Sequence, residues 1–264
     1  MYFGSEAILD ALPPDEGSMR EWGSRYLPSA SALGLFPMQR VNEAGRVFVD
    51  GFADARSQAI FANMLDCIAV RSRAAIFAEQ VRVVADQVAG PMRCLSLGSG
   101  AAVPLIDALS ALHFDGHREY DLVLVDLDLG ALKFAEQLAG RAGFGEHVRT
   151  VNDNIVRASR ALPHDHFHLV DLLGVWEYGS DRACASMLKS ALAHVIPGGR
   201  IIVSNMLADR PQLHFNQRGV GWPSIKPRTI EQMVHIALRS GVQSERVQVS
   251  VAGDGVYGVM SIAG

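Results

Sequence analysis

Cysteine is scarce in this sequence, which contains only Cys67, Cys94 and Cys184. Their number is odd and their spacing is wide, so they form neither a disulfide framework nor the paired pattern of a zinc site. This argues against a small, disulfide-stapled secreted domain. We predict a protein of a reducing compartment, the cytoplasm.

Excess positive charge is also missing. The chain has 24 Lys and Arg residues against 28 Asp and Glu residues, a formal net charge of -4. No dense basic run could neutralise several phosphates at once, which disfavours a nucleic-acid partner. No run of about 18 uncharged apolar residues is present, and the first residues do not combine a basic start with an apolar stretch. We expect neither a membrane span nor export.

What is present is the composition of an ordered protein, because 49% of the 264 residues are hydrophobic and 20% are charged. Prolines and glycines interrupt residues 1–52, so regular structure there should be brief. Apolar residues recur every three or four positions through residues 53–89, which is typical of amphipathic helices. We predict that residues 1–89 form an N-terminal arm and helical cap on the substrate side, and that residues 90–264 form the main domain.

Beyond residue 90, short apolar runs alternate with helical stretches, as in a parallel sheet with crossover helices. The five predicted parallel strands are Arg93–Leu97, Tyr120–Asp126, Val148–Val151, Phe167–Leu172 and Arg200–Ser204, and the predicted crossover helices are Ala102–Leu112, Leu129–Ala139, Ile155–Leu162 and Arg182–Val195. A further helix over Thr229–Ser240 precedes a β-hairpin made of Glu245–Val251 and Val256–Ile262. The predicted fold class is α/β: a doubly wound, mostly parallel seven-stranded sheet with a C-terminal antiparallel hairpin and an N-terminal helical cap.

The first predicted strand runs into a glycine turn, Gly98-Ser99-Gly100, and then into a helix. Glycine lets the backbone approach a ligand closely, and the start of a helix presents free N–H groups. A tight strand-to-helix turn that binds nothing would look the same, so this motif alone is weak.

The next strand ends at Asp126, where a Rossmann-type site holds ribose hydroxyls. Asp128 has a plainer role as the N-cap of the helix that begins at Leu129. A dinucleotide-binding oxidoreductase would share these features, but its third glycine is replaced by Val103, and no Tyr-x-x-x-Lys pair is present. An NAD-dependent dehydrogenase is therefore the least favoured enzyme class.

Together, several segments resemble the class I S-adenosylmethionine (SAM) dependent methyltransferases. The resemblance covers about residues 90–264 and rests on the order and spacing of loose motifs: Leu95-Ser96-Leu97-Gly98-Ser99-Gly100, Leu124-Val125-Asp126-Leu127-Asp128, Val151-Asn152-Asp153-Asn154, Phe167–Leu173 and Ile196-Pro197-Gly198-Gly199. His168 departs from the family, which often has an acidic residue at that place in strand four. The resemblance implies SAM as cofactor and S-adenosylhomocysteine (SAH) as product.

The resemblance also implies a set of cofactor-binding residues. Gly98, Ser99 and Gly100 would lie under the methionine moiety, Asp126 would hold the ribose, and Leu127 would pack on the adenine. Asp153 would face the adenine amino group, with Asn154 beside it. Leu172, at the end of the fourth strand, completes the predicted set. For Asp153 and Asn154 an ordinary capped turn is the structural alternative.

Substrates of open α/β sheets bind beyond the carboxyl ends of the strands, which points to the segments after strands four and five. The first contains Trp176, Glu177 and Tyr178, which could supply an aromatic wall and a proton acceptor, although aromatic packing is the simpler explanation for Trp176 and Tyr178. The second contains His214, whose ordinary pKa of about 6.5 suits a general base. A solvent-exposed loop histidine is its structural alternative. We take Glu177, Tyr178 and His214 as the candidate catalytic residues.

Two other groups of charged or ligating residues have structural explanations. His166 and His168 share a strand face that should enter the sheet, so we predict no metal site. Arg71 and Arg73 could meet the methionine carboxylate or an acidic substrate, but exposed helix charges are the usual explanation.

The sequence thus predicts a SAM-dependent methyltransferase for a small, apolar or amphiphilic acceptor of the natural-product or fatty-acid type. Direct displacement at a sulfonium requires alignment and exclusion of water, and a dedicated base is optional. Two alternatives keep the same fold: an aminopropyl-type transferase, and a non-catalytic SAM- or nucleotide-binding subunit. Nucleic-acid partners are not expected, and a homodimer is the expected assembly if the chain is not monomeric.

Overall fold

The computed structural model describes residues 63–114, 119–143, 145–164, 166–218 and 225–264. The predicted arm and residues 53–62 of the predicted helical cap lie outside these ranges. The described part of the cap is one 23-residue helix, α1 (Leu65–Gln87), which packs against the sheet and against the helix that follows the first strand.

The sheet has seven strands: β1 Met92–Leu97, β2 Tyr120–Asp126, β3 Val148–Asn152, β4 Phe167–Leu172, β5 Val195–Met206, β6 Val247–Val251 and β7 Tyr257–Ala263. Their order is β3-β2-β1-β4-β5-β7-β6, with β1 to β5 parallel and β7 antiparallel to both β5 and β6. The chain reverses direction across the sheet between β1 and β4, which is the switch point where ligands of doubly wound sheets bind. The predicted sheet and closing hairpin are confirmed.

Helices cover both faces of the sheet. After α1 they are α2 Val103–Phe114, α3 Leu129–Arg141, α4 Ile155–Ser159, α5 Asp181–Leu192, α6 Leu213–Arg218 and α7 Ile230–Arg239. Helices α1, α2 and α3 enclose one core with the strand residues that face them. Helices α4, α5 and α7 enclose the other core on the opposite face. Strand side chains alternate between these two cores, as the pleat requires.

Most predicted bounds differ from the observed ones by one to three residues, and the largest difference is at the start of β5. Strand β5 begins at Val195 and includes Pro197, Gly198 and Gly199, which we predicted as a turn before the strand. Pairing with β4 shifts register between Phe167 and Leu169, and Gly198 has φ +81, so the glycines form a bulge inside a longer strand. The fourth helix ends at Ser159, three residues early.

Helix α1 changes character along its buried face. Phe77, Val81 and Val84 pack into the apolar core, whereas Asp66 and Arg73, nearer its N-terminus, are buried charges. These two lie seven residues apart, which is about two turns and about 10 Å along the axis, on one side of the helix. The N-terminal half of α1 therefore places charged side chains near the carboxyl ends of the central strands.

No helix in the described part of the chain is long and apolar enough to cross a membrane.

Candidate active site

The glycine turn after β1 has the geometry of a backbone cradle. Gly98 and Gly100 have φ values of +75 and +52, in the left-handed region that residues with a side chain rarely adopt. A Cβ atom on Gly98 would lie 2.4 Å from Cγ2 of Val175, so this position has no room for a side chain. The N–H groups of Gly98 and Ser99 both donate to the carbonyl oxygen of Val125, at 2.8 and 3.0 Å. The turn is thereby fixed to the end of β2.

Asp126 links the end of β2 to this turn. Its Oδ2 accepts a hydrogen bond from the N–H of Gly100 at 2.6 Å, and its Oδ1 accepts one from the N–H of Asp128 at 2.8 Å. The carboxylate is half-buried at the carboxyl edge of the sheet. The structure therefore brings together the residues that we predicted for the methionine and ribose moieties.

Leu127, next to Asp126, exposes 70% of its surface, the largest exposed fraction among the large apolar residues that the structure describes. The side-chain amide of Asn152 on β3 donates to the carbonyl oxygens of Asp126 and Leu127, at 3.1 and 3.0 Å, and so holds this segment. Asp128 accepts hydrogen bonds from the first N–H groups of α3, which confirms its predicted role as an N-cap. An apolar side chain thus faces solvent beside the predicted ribose position.

Asp153 and Asn154 make the contacts of a capped turn. Asp153 accepts hydrogen bonds from the Arg157 guanidinium and from the N–H of Asn154. The Asn154 side chain accepts from the N–H of Val156 at 3.0 Å and caps α4. A surface depression lies here, lined by Asn154, Val156, Arg157 and Arg160. Both predicted adenine residues therefore have structural partners, and Asn154 also lines a surface depression.

Arg73 is buried rather than exposed, contrary to the explanation favoured for it from the sequence. Its Nη1 lies 3.6 Å from Oε1 of Glu177 and 3.4 Å from Oγ of Ser204, and its guanidinium carbon lies 4.6 Å from the centre of the Tyr257 ring. Ser204 also accepts a hydrogen bond from the N–H of Gly174, just after β4, at 3.1 Å. We call Arg73, Glu177, Ser204 and Tyr257 the Arg73 cluster.

The two candidate catalytic residues after β4 have opposite environments. Glu177 is buried, and this burial raises the pKa of its carboxyl even though the charges of Arg73 and Arg228 lower it. Its Oε2 has no hydrogen-bond partner among the described residues. Tyr178 exposes 41% of its surface. Trp176 is fully buried, as the packing explanation for this aromatic residue predicted.

The two remaining predicted residues differ in burial. The side chain of Leu172 is fully buried in the core on the α5 side of the sheet, so only its backbone is available to a cofactor. His214 is exposed on the short helix α6, after β5. The sequence had no means of placing either side chain, because burial depends on distant segments.

The comparisons identify this architecture. No protein-family model and no curated protein matches the sequence. A possible exported protein from Bordetella parapertussis matches with TM-score 0.67 and 16% identity, over 98% of this chain and 86% of that one. An O-methyltransferase family protein from Burkholderia thailandensis matches with TM-score 0.58 and 15% identity, over 80% and 60%. Magnesium protoporphyrin IX methyltransferase from Synechocystis, with bound SAH, matches with TM-score 0.56 and 13% identity, over 81% and 89%.

This chain has the class I methyltransferase fold. Sequence identities of 13–16% show the fold alone, and activity depends on the residues at the site.

Within this methyltransferase fold, the sequence analysis missed a buried acid on β4. Asp171 pairs in register with Ser96 on β1, and the Ser96 hydroxyl donates to Asp171 Oδ1 at 2.9 Å. Burial raises the pKa of Asp171 to about 7, although Ser96, the N–H of Leu173 and Arg73 all lower it. The available signal was a lone acid in the apolar run Leu169-Val170-Asp171-Leu172.

A second missed group ties the segment after β5 to the start of α1. Asp66 Oδ1 accepts hydrogen bonds from the guanidinium of Arg210 and from the Asn216 side chain, and all three residues are buried. Apolar residues surround them, including Leu65, Val70, Met206, Ile225 and Val256. This part of the methyltransferase fold is where the sequence predicted the acceptor to bind.

His168 on β4 and His166, just before this strand, lie at the opposite edge of the sheet. His166 and His168 are half-buried at the amino end of the strand rather than in the sheet core. The N–H of Arg93 donates to Nδ1 of His168 at 3.0 Å. Burial, reinforced by the Arg93 charge, lowers the pKa of both histidines.

Proposed function

We propose that this protein is a SAM-dependent methyltransferase that acts on a small, apolar or amphiphilic acceptor of the natural-product or fatty-acid type. The observation that carries the proposal is the position of the Asp126 carboxylate, which is joined to the Gly98–Gly100 turn at the carboxyl edge of the sheet. The exposed Leu127 lies beside it. Ribose, methionine and adenine moieties each have a matching group there.

The residues present fit the cofactor. Both oxygens of Asp126 already accept a backbone N–H, but a carboxylate has about four acceptor sites, so ribose hydroxyls can add to them. The buried Arg73 guanidinium suits a carboxylate, and its Nε has no partner among the described residues. We assign the methionine carboxylate to Arg73, the ribose to Asp126 and the adenine to Leu127, with Asp153, Asn154 and the Leu172 backbone as further contacts.

SAM, when bound, supplies a methyl group on a positively charged sulfur. The protein's task is then to align the acceptor with this group and to exclude water. Glu177 lies next to Tyr178, and burial raises the pKa of its carboxyl, which makes its carboxylate a stronger base. His214 lies on the segment after β5. We propose these three residues as the groups that position the acceptor and receive its proton.

The acceptor class rests on two features. The chain carries a net charge of -4, which disfavours nucleic acids. The residues around the Asp66, Arg210 and Asn216 group are apolar, which suits a small acceptor with an apolar body. Among proteins of this fold, the Synechocystis enzyme is named for a porphyrin, which is also a small molecule. The cytoplasmic location and a possible homodimer remain predictions.

Calorimetric titration tests the cofactor. We expect SAM and SAH to bind in the micromolar range and NAD not to bind. Asp126→Ala should abolish SAM binding, whereas Asp121→Ala, on the same strand but at its amino end, should leave it unchanged. Preferential NAD binding, or equal effects of the two substitutions, would contradict the proposal.

One observation favours aminopropyl transfer as a second candidate. Enzymes of that kind resemble this fold and carry paired carboxylates, and the structure adds Asp171 to Glu177 near the end of β4. The buried cation Arg73 opposes it, because decarboxylated SAM lacks the group that Arg73 would bind. Titration with SAM and with decarboxylated SAM separates the two. Binding of SAM without methyl transfer to any component of a metabolite extract would favour the non-catalytic subunit.

A further inference from the structure

The Ser96–Asp171 pair lies two residues before the glycine turn. Ser96 lies on β1, two residues before Gly98, and the register partner of Ser96 on β4 is Asp171. Their neighbours at alternate positions, Cys94 and Leu169, belong to the core beneath α1. The pair is therefore at the carboxyl end of the central strands, on the sheet face that α1 covers, at the switch point of the fold.

Asp171 is an incompletely satisfied acid. It is only 3% exposed, and while Oδ1 accepts from Ser96, its Oδ2 has no hydrogen-bond partner in the described part of the chain. A buried polar atom without a partner is unfavourable, and an apolar residue of similar size would pack better between two strands. Such a group is a candidate for contact with a ligand.

The cation near Asp171 is Arg73, which is also in contact with other groups. Arg73 on α1 acts on it electrostatically, but the guanidinium lies 3.6 Å from the carboxylate of Glu177, in the turn after β4, and over the ring of Tyr257 on β7. Cys94 on β1 is the other titratable group that interacts with Asp171, and burial keeps its thiol protonated by raising its pKa. Burial of Asp171 itself favours its neutral form in the absence of a ligand.

We propose, building on SAM as the cofactor, that Asp171 is the anion that faces the ammonium group of the cofactor's methionine moiety, and that it releases its proton to solvent when the cofactor binds. The ammonium keeps its own proton, so the site gains a negative charge that balances the incoming cation. Arg73 would hold the carboxylate of the same moiety. Ser96 is a positioning residue that holds Oδ1 and leaves Oδ2 to the ligand.

The consequence is a binding affinity that depends on pH. Below the pKa of the ligand-free acid, which is about 7, each cofactor bound displaces one proton, so affinity should rise about tenfold per pH unit between about pH 5 and 6.5. A ligand that lacks the amino-acid portion should not show this rise.

The experiment measures proton release directly. SAH and 5′-methylthioadenosine, which has the adenosine and thioether but no amino-acid portion, are titrated calorimetrically at pH 6.5 in buffers of different ionisation enthalpy. We expect SAH to release about three-quarters of a proton, the protonated fraction of an acid of pKa about 7 at this pH, and 5′-methylthioadenosine to release none. Asp171→Asn should abolish the release and weaken SAH binding about tenfold, while Ser96→Ala should retain the release. A melting curve of each variant shows that it is folded.

The outcomes separate this proposal from the proposed cofactor. If SAH binds but proton release is absent, or if it persists in Asp171→Asn, the role of Asp171 is wrong and the cofactor assignment stands. If 5′-methylthioadenosine releases the same number of protons as SAH, the proton does not report the ammonium group, and the proposal is also wrong. If neither ligand binds, both proposals are overturned.

Discussion

The guanidinium of Arg73 stacks on the ring of Tyr257, with 4.6 Å between its carbon and the ring centre. This contact joins α1 to the antiparallel strand β7. Arg73 also pairs with Glu177, so one side chain connects the first described helix, the turn after β4 and the C-terminal strand. Because a buried charge destabilises the fold when its partners are removed, the cluster couples stability to the proposed cofactor site.

The buried Arg73–Glu177 pair should be detectable by a double-mutant cycle. Arg73→Met removes the cation and leaves Glu177 buried without it, so we expect a loss of about 3 kcal/mol in the free energy of unfolding. Glu177→Gln in that background should recover part of the loss, giving a coupling energy of about 1–3 kcal/mol. Urea denaturation of the four proteins measures it. Additive effects would show that the two side chains do not interact.

Asp171 should make the stability of the ligand-free protein depend on pH. Burial raises its folded-state pKa from the ordinary 3.8 to about 7, so the folded state binds more protons between these values. Stability should therefore fall as pH rises from about 4 to 7 and then level off. Asp171→Asn removes this pH dependence. The free energy of unfolding of the variant minus that of the parent should therefore increase by more than ~1 kcal/mol from pH 5 to pH 8. Urea denaturation at both pH values checks this. A difference that does not change with pH would contradict it.

Most of the fold could be predicted from local patterns of apolar and turn residues in the sequence. Strand β2 was predicted with its observed bounds, Tyr120–Asp126, because a short apolar run between turn residues specifies a buried strand. The Asp126 contact with Gly100 could be anticipated as well, since a carboxylate at a strand end and a glycine turn on the adjacent parallel strand meet at the same edge.

Long-range packing determined what the sequence did not reveal. The Ser96–Asp171 bond joins residues 75 apart in sequence, and the Asn216–Asp66 bond joins residues 150 apart. The burial of Arg73 likewise depends on β4, β5 and β7, which lie about a hundred or more residues downstream. Periodicity along one helix cannot distinguish an exposed charge from one covered by such distant strands.

Gly98 should tolerate no side chain. Gly98→Ala forces an alanine to φ +75 and places its Cβ 2.4 Å from Val175, so we expect a loss of about 2–5 kcal/mol in stability and weaker SAH binding. Gly143→Ala is the matched control, because Gly143 has φ +90 but no atom within 4 Å of the added Cβ. It should lose only about 1–2 kcal/mol. Val175→Ala in the Gly98→Ala background should recover the difference, as measured by chemical denaturation; equal losses for the two glycines would show that the contact is unimportant.

Substitution of Leu127 should weaken ligand binding with little effect on stability. Because it is 70% exposed, Leu127→Ser should change the free energy of unfolding by no more than about 0.5 kcal/mol. If its side chain packs on adenine, the lost apolar contact should weaken binding of both SAH and 5′-methylthioadenosine about tenfold, since both carry the base. Leu238→Ser, at a 42% exposed position on α7, is the control for a surface leucine and should bind both ligands normally. Calorimetry on the three proteins decides the point: unchanged affinity in Leu127→Ser would remove the adenine from this position and leave the exposed leucine without a ligand contact.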